Sequence, residues 1–448
     1  SISRIQNASM RSLSEGTVRT VAFTPYAEAN RSSKNACFAA FDLGTTTIVC
    51  YLLDASNGQQ IAVRGMQNPQ TAYGADVIAR ANYALTSGEP LALQKIAIQA
   101  LNELLAQVCG ECNRQTSDVQ LVSIVGNTVM HHLLLGYPLE RLVRAPYEPH
   151  KAERSVLPAK VLGLNVNQKA DVLLAPVVGG FVGADTVACL SATAFHSLDE
   201  PTLLLDIGTN GELALTDGTK RVCCSTAAGP AFEGANISCG MRAVSGAIDH
   251  VWLDCGEFRY STIGHAPALG LCGSGLIELC ALLSNLDLIG ESGKFNTDAP
   301  FGERLFAQEN GTKAFLISQE PTRVFLTQKD VRELQLGKAA MRAGIEVLLR
   351  KLSLTAEQIS HTLLAGAFGN HLSAQALCDI GLLPYALLGR VESIGNAAGE
   401  GAKLYARNYS LFEESETIAQ GTQYIELTLV KSFTNFYVDA MAFPREEE

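Results

Sequence analysis

The sequence predicts an α/β protein of two duplicated lobes, each a mixed β-sheet flanked by helices. Apolar runs of strand length alternate with longer helical stretches, as in sheets covered by helices. A strand ending in Asp42-Leu43-Gly44-Thr45 returns as a strand ending in Asp206-Ile207-Gly208-Thr209 about 164 residues later, too long a period for a solenoid and right for a duplicated domain. The 448 residues are 47% hydrophobic and only 18% charged, with 39 Gly, enough to bury a large core over two or three domains.

Residues 1–36 are polar and Ser/Arg-rich and read as an N-terminal extension or linker, with one strand expected over 17–23. A continuous apolar run at 36–41 marks a buried strand. The chain resumes as a strand over 48–54, turns at Ser56-Asn57-Gly58 and continues as a third strand over 60–65. A helix over 91–107, a buried strand over 120–125 and a helix after Gly126-Asn127 complete the first lobe. Strands over 201–205 and 213–216, closed by Asp217-Gly218, open the second. Residues 424–431 read as a strand and 434–443 as a short helix stopped by Pro444. The expected division is 1–36, 37–195 for the first lobe, and 196–448 for the second with its C-terminal strand and helix.

Lys and Arg total 34 against 45 Asp and Glu, a net charge of −11 with no basic run, which excludes a nucleic-acid backbone as partner. An acidic surface suits a basic protein partner and equally the ordinary state of a bacterial cytosolic protein. The twelve cysteines are scattered through apolar contexts such as Ile48-Val49-Cys50, so reduced, buried thiols in a cytoplasmic protein are expected. No stretch has the apolar length of a membrane span, and no apolar signal segment opens the chain, which begins at Ser.

Candidate chemistry concentrates at the two repeated bends. Gly44 lets the backbone approach a phosphate, and successive N–H groups with the hydroxyls of Thr45, Thr46 and Thr47 can donate to its oxygens. Asp42 would be repelled by phosphate, so its useful place is on Mg²⁺ through water. The second bend, Asp206-Ile207-Gly208-Thr209-Asn210-Gly211-Glu212, puts an amide and a carboxylate where the first has threonines. Glu212 there can orient an attacking water or hold hydrated Mg²⁺, or stand as an ordinary strand residue. A third apolar strand runs into Gly366-Ala367-Phe368-Gly369-Asn370, small residues that admit a flat ring with Asn370 to read its edge. Gly273 and Ser274 open a helix whose free N–H groups are expected near the nucleotide. Ser225 and Thr226 begin the small-residue loop 227–235, where a hydroxyl either reaches a partner's cofactor or caps the following helix.

Two phosphate bends, a helix after Gly126-Asn127 and the turn at Ala365-Gly366 resemble the superfamily of actin, Hsp70, acetate and sugar kinases. That resemblance implies an actin-like ATPase fold: two RNase H-like lobes with an interlobe nucleotide cleft. More closely, the chain resembles the ATP-dependent reductive activators of corrinoid proteins. The matching stretches include Asn68-Pro69-Gln70-Thr71-Ala72-Tyr73-Gly74-Ala75-Asp76-Val77, Gly183-Ala184-Asp185-Thr186, Gly240-Met241-Arg242-Ala243 and Gly395-Asn396-Ala397-Ala398-Gly399. The segment Gly229-Pro230-Ala231-Phe232-Glu233-Gly234-Ala235 is distinctive of that group. The resemblance implies an ATPase that returns an inactivated Co(II) corrinoid protein of a methyltransferase system to Co(I), with ATP and Mg²⁺ bound.

Members of that group carry an iron–sulfur module with four closely placed cysteines, and this sequence has no such run. Its close pair, Cys109-Gly110-Glu111-Cys112, cannot complete a four-ligand cluster. Either a ferredoxin module precedes this sequence or electrons come from a separate protein. His131-His132 on an apolar helix read as core rather than metal ligands. A small-molecule kinase with Asp185 as base, and a nucleotide-gated scaffold with little turnover, are the alternative functions; a homodimer is an open expectation.

Overall fold

A computed structural model describes residues 11–12, 17–27, 29, 33–89, 91–366 and 372–445. The chain forms two compact units and crosses between them more than once. One comprises Glu15–Leu198 with Asn396–Tyr424, the other Arg11 and Ser12, Asp199–Gly395 and the residues from Ile425 on. Residues 396–424, assigned to the second lobe on sequence, thus fold with the first.

The first unit opens with β1 (Cys37–Leu43), β2 (Thr47–Asp54) and β3 (Gln60–Gln67), an antiparallel meander. Helices α1 (Val77–Thr86) and α2 (Ala92–Glu111) lead to β4 (Val119–Gly126) and α3 (Thr128–Leu135). Strands β5 (Ser155–Pro158) and β6 (Asp171–Leu174) and helix α4 (Ala184–Ala192) follow. The sheet order is β3-β2-β1-β4-β6-β5, with β4 parallel to β1 and β6 parallel to β4. Strands covered on both faces are nearly continuous apolar runs, and β4, Val-Gln-Leu-Val-Ser-Ile-Val-Gly, is buried at every position with Gln120 and Ser123 its polar exceptions. Helix α2 buries Leu93, Ala97, Ala100, Leu101, Leu104, Leu105 and Val108, a stripe at helical spacing.

The second unit repeats this topology. Strands β7 (Thr202–Ile207), β8 (Gly211–Thr216) and β9 (Arg221–Thr226) form its meander. A hairpin of β10 (Ala247–Asp254) and β11 (Glu257–Thr262), helix α5 (Gly273–Asn285) and a small sheet of β12 (Leu305–Ala307), β13 (Lys313–Ser318) and β14 (Val324–Thr327) come next. Helix α6 (Gln328–Leu352) starts at a reciprocal cap between Thr327 and Asp330, worth about 1 kcal/mol. Strand β15 (His361–Ala365), helix α7 (Ala374–Asp379) and β16 (Val391–Gly395) close the unit. Five strands run β16-β15-β7-β8-β9, with β15 parallel to both β7 and β16. Over five strands read from the meander, the two sheets share one order and one set of strand directions, and they differ at the next edge, where Ser155–Pro158 runs antiparallel in the first and Arg11–Ser12 parallel in the second, so the duplication extends beyond the two motifs.

The chain then returns to the first unit as α8 (Ala397–Arg407) and α9 (Tyr409–Gln420), and ends in the second as α10 (Phe433–Asp439). Two strand expectations are corrected. Residues 17–23 form no strand, with bends at 17–18; the Arg19 N–H goes to the Ala192 carbonyl and the Thr24 N–H to that of Arg407, both at helix ends. Residues 424–431 leave the strand after Tyr424, because Glu426 accepts from both the backbone and the hydroxyl of Thr428 and sets a 3₁₀ turn over Leu427–Leu429. Among the described residues no helix is long and apolar enough to cross a membrane.

Candidate functional site

The first bend lies between β1 and β2. Its glycine is required by the hairpin itself: a Cβ on Gly44 would stand 2.4 Å from the Thr47 carbonyl oxygen. Two buried asparagines hold the bend. Asn68 donates from Nδ2 to the Gly44 carbonyl and from its backbone to the Thr46 carbonyl, each at 2.9 Å. Asn127 accepts the Met130 N–H at Oδ1, capping α3, which fixes its Nδ2 as donor to Thr45 Oγ1 at 2.9 Å. The Thr45 oxygen is therefore an acceptor in that bond and keeps its proton for an anion.

Asp42, near the end of β1, accepts from Asn396 Nδ2 at 2.9 Å; the same nitrogen lies 3.2 Å from the Tyr51 hydroxyl. Asn396 Oδ1 in turn caps α8 by accepting the Gly399 N–H. Burial pushes the Asp42 carboxyl up to about 6, and the Asn396 bond pulls it partly back. A carboxylate left short of compensating charge in this way suits a nearby cation. Thr47 opens β2, opposite Gln67 of β3.

The second bend is built differently. Asp206 and Glu212 are directly opposed across the β7–β8 hairpin and so share a face, whereas the residue opposite Asp42 is Val49. Glu212 is buried and accepts from Ser225 Oγ on β9 at 3.3 Å. The Gly208 N–H is spent inside the turn on the Asn210 carbonyl at 3.0 Å. A Cβ on Gly208 would be in ordinary contact with the Asn210 carbonyl oxygen at 3.5 Å and with Glu233 Oε1 at 3.8 Å, so the Glu233 carboxylate stands beside this bend. Gly211 starts β8, and its missing Cβ leaves space for Met341 of α6.

Gly366 closes β15 with φ +122°, and a Cβ there would stand 2.5 Å from the Ile207 carbonyl and 3.3 Å from Asp206 Oδ1. The third motif thus reaches the second bend through a position that only glycine fills. Gly369 and Asn370 lie outside the described residues. Gly273 and Ser274 do open α5, but the Ser274 hydroxyl serves the Asp249 carbonyl of β10 at 3.2 Å. Ser225 and Thr226 end β9 rather than begin a loop. Thr226 is buried and donates to the Gly211 carbonyl at 3.2 Å, so it neither caps a helix nor faces outward.

Two family models cover the chain: one described as the C-terminal domain of RACo, the ASKHA domain, over residues 200–448, and one as the RACo middle region, over residues 38–198. Corrinoid activation enzyme RamQ of Eubacterium limosum is 36% identical over 434 residues, 94% of this chain and 72% of that protein. The chain belongs to the RACo family. A [Co(II) methylated amine-specific corrinoid protein] reductase of Methanosarcina barkeri is 24% identical over 439 residues, 90% of this chain and 76% of that protein. A solved structure of a reductive activator for corrinoid, iron-sulfur protein superposes with a TM-score of 0.85 at 33% identity, covering 93% of this chain and 67% of that one.

The ASKHA domain of the RACo family implies bound ATP and Mg²⁺. Each unit offers groups that fit them: the Thr45 hydroxyl and the Asp42 carboxylate in one, and the opposed carboxylates of Asp206 and Glu212 in the other. Mg²⁺ keeps several waters and takes the rest of its shell from phosphates, so a full protein cage is not required. Asn68, Asn127, Asn396 and Glu233 stand outside the Asp-x-Gly-Thr pattern and have no role in it. A signal for two of them was present: Gly-Asn at the end of β4 and again at the end of β16, each asparagine an N-cap. His131 and His132 are buried, and burial holds them down to about 3 and about 4, so both are neutral core side chains. Cys109 is buried at the end of α2, and Cys112 caps it with its thiol 3.6 Å from the Ile61 carbonyl.

Proposed function

We propose that this chain is an ATPase that couples ATP to the reductive return of a Co(II) corrinoid protein of a methyltransferase system to Co(I). The observation that carries the reading is the pair of duplicated bends with unlike carboxylate sets, in a chain whose relatives are named as corrinoid activators. Gly44, Thr45, Thr46, Thr47, Gly208, Thr209, Asn210 and Gly211 take the phosphates. Gly366 with Gly369 and Asn370 takes the adenosine. Mg²⁺, when bound, neutralises the charge of the phosphates. Asp42 and Asp206 hold its waters, and Glu212, beside Asp206, orients the water that attacks the terminal phosphate. Ser225, whose hydroxyl lies against Glu212, is the residue offered to the partner.

ATP drives the electron transfer only if it favours one conformation that in turn favours one state of the partner. Electrons come from a separate donor or from a module outside this sequence. The kinase alternative gains nothing from the structure, since the Asp185 carboxylate is engaged by the Thr186 N–H at the start of α4. The test is an absorbance assay of a Co(II) corrinoid protein with a low-potential reductant. Co(I) should form only with Mg-ATP, with ATP hydrolysed in step. Asp206→Ala should slow both by about 100-fold or more, the scale of losing one transition-state group. Full turnover in that variant, or efficient phosphoryl transfer to a sugar or carboxylic acid, would overturn the assignment.

A further inference from the structure

Glu233 has no place in the phosphate chemistry above, yet it touches it. Its Oε2 accepts from the Thr209 hydroxyl at 2.7 Å, and its Oε1 lies 3.8 Å from where a Cβ on Gly208 would be. Thr209 is only 6% exposed and Glu233 half-buried, so this charge-assisted bond is partly shielded from water. A phosphate bound at the bend of Gly208–Gly211 brings negative charge up to the Glu233 carboxylate. It also competes for the same hydroxyl, which has one proton to give.

The segment that carries Glu233 is stiff. Pro230–Glu233 is a 3₁₀ turn that buries Ala231 and Phe232. Beyond it the backbone is stacked on itself: a Cβ on Gly234 would stand 2.3 Å from the Met241 carbonyl, and one on Gly240 2.0 Å from the Gly234 carbonyl. Ser238 is tied to the buried Asp330 by its N–H at 2.8 Å and its hydroxyl at 3.0 Å. Met241 and Cys239 bond to the backbone of Leu271 at 3.0 and 2.8 Å. Close-packed chain passes a displacement on rather than absorbing it. This segment leads to the exposed residues 242–245, where Val244 is 52% exposed, and the Leu269 beside them is 53% exposed.

We propose that Glu233 is a positioning residue that reports phosphate occupancy. When phosphate binds at this bend, the Thr209 hydroxyl turns from Glu233 to the phosphate, and the carboxylate, repelled by the phosphate charge, shifts residues 229–241 and with them the surface at 242–245. This inference rests on the nucleotide reading above and names the relay that reading requires.

Hydrogen exchange of the full chain with and without Mg-AMPPNP, alongside calorimetry of the same nucleotide, tests it. Wild-type amides within 234–246 should change exchange about fivefold or more on binding, the lower end of typical coupling. Glu233→Gln should abolish that change while binding Mg-AMPPNP as tightly or more tightly, because a repelling charge is gone. Thr209→Ser should keep the response and Thr209→Val lose it. A merely structural Glu233 would instead lower affinity and the unfolding midpoint together, and that result, or a normal response in Glu233→Gln, overturns the relay. Silent amides with normal wild-type binding sink the relay alone; no wild-type binding sinks the nucleotide reading and the relay with it.

Discussion

Asp42 carries two opposite pH dependences, and their signs separate binding from folding. Its carboxyl is raised from 3.8 to about 6 by burial. The native state therefore holds this proton more tightly than the unfolded chain does. Between those two values its contribution to stability of the ligand-free fold falls as pH rises. Cation-assisted nucleotide binding runs the other way, since only the ionised form attracts Mg²⁺. Affinity for Mg-AMPPNP should therefore fall as pH drops from 7 through 6. Asn396 is the residue that lowers the value, so Asn396→Ser, which keeps a side chain able to cap α8 but loses the reach to Asp42, should move that acid limb to higher pH. Titrations by calorimetry at several pH values check it; an unmoved limb would remove Asn396 from the site. The aspartates and glycines were legible in the sequence because Asp-x-Gly-Thr is a local pattern with a local reason. Asn396 was not, because its meaning depends on a partner 354 residues away.

At the scale of elements, the first bend is framed by two helix starts, α3 through Asn127 and α8 through Asn396. Each asparagine satisfies a helix end with one atom and a bend residue with the other, so helix position and site geometry are set together. Close packing at α8 makes this testable. A Cβ on Gly399 would stand 2.5 Å from the Tyr51 hydroxyl oxygen and 2.7 Å from its ring. Gly399→Ala should push the helix start off β2 and lower stability by roughly 1–3 kcal/mol, as overpacking does, measured by urea unfolding. An unaffected midpoint would mean that α8 is not anchored there. The hairpins were readable because strands covered on both faces are continuous apolar runs, and α2 because its burial follows the helical period. The expected strands at 17–23 and 424–431 failed because their polar groups found helix ends and a side-chain carboxylate instead of a sheet edge. Nothing in a short apolar-polar run distinguishes those fates.

For the whole molecule, one sheet topology occurs twice, and the two copies have diverged at the charged positions. Val49 stands where Glu212 stands, and Asn396 supports Asp42 from a returning segment. The repeat in sequence revealed the duplication but not the return of 396–424 to the first unit, since chain order carries no record of such a crossing. Divergence of this kind suits a division of labour in which both copies bind phosphate and one also handles water. Crystallography of the chain with Mg-AMPPNP tests that claim most directly. The account predicts phosphate oxygens at about 3 Å from the hydroxyls of Thr45 and Thr209, with Asp206 reached through a metal-bound water. A nucleotide bound elsewhere, with both bends facing solvent, would contradict it.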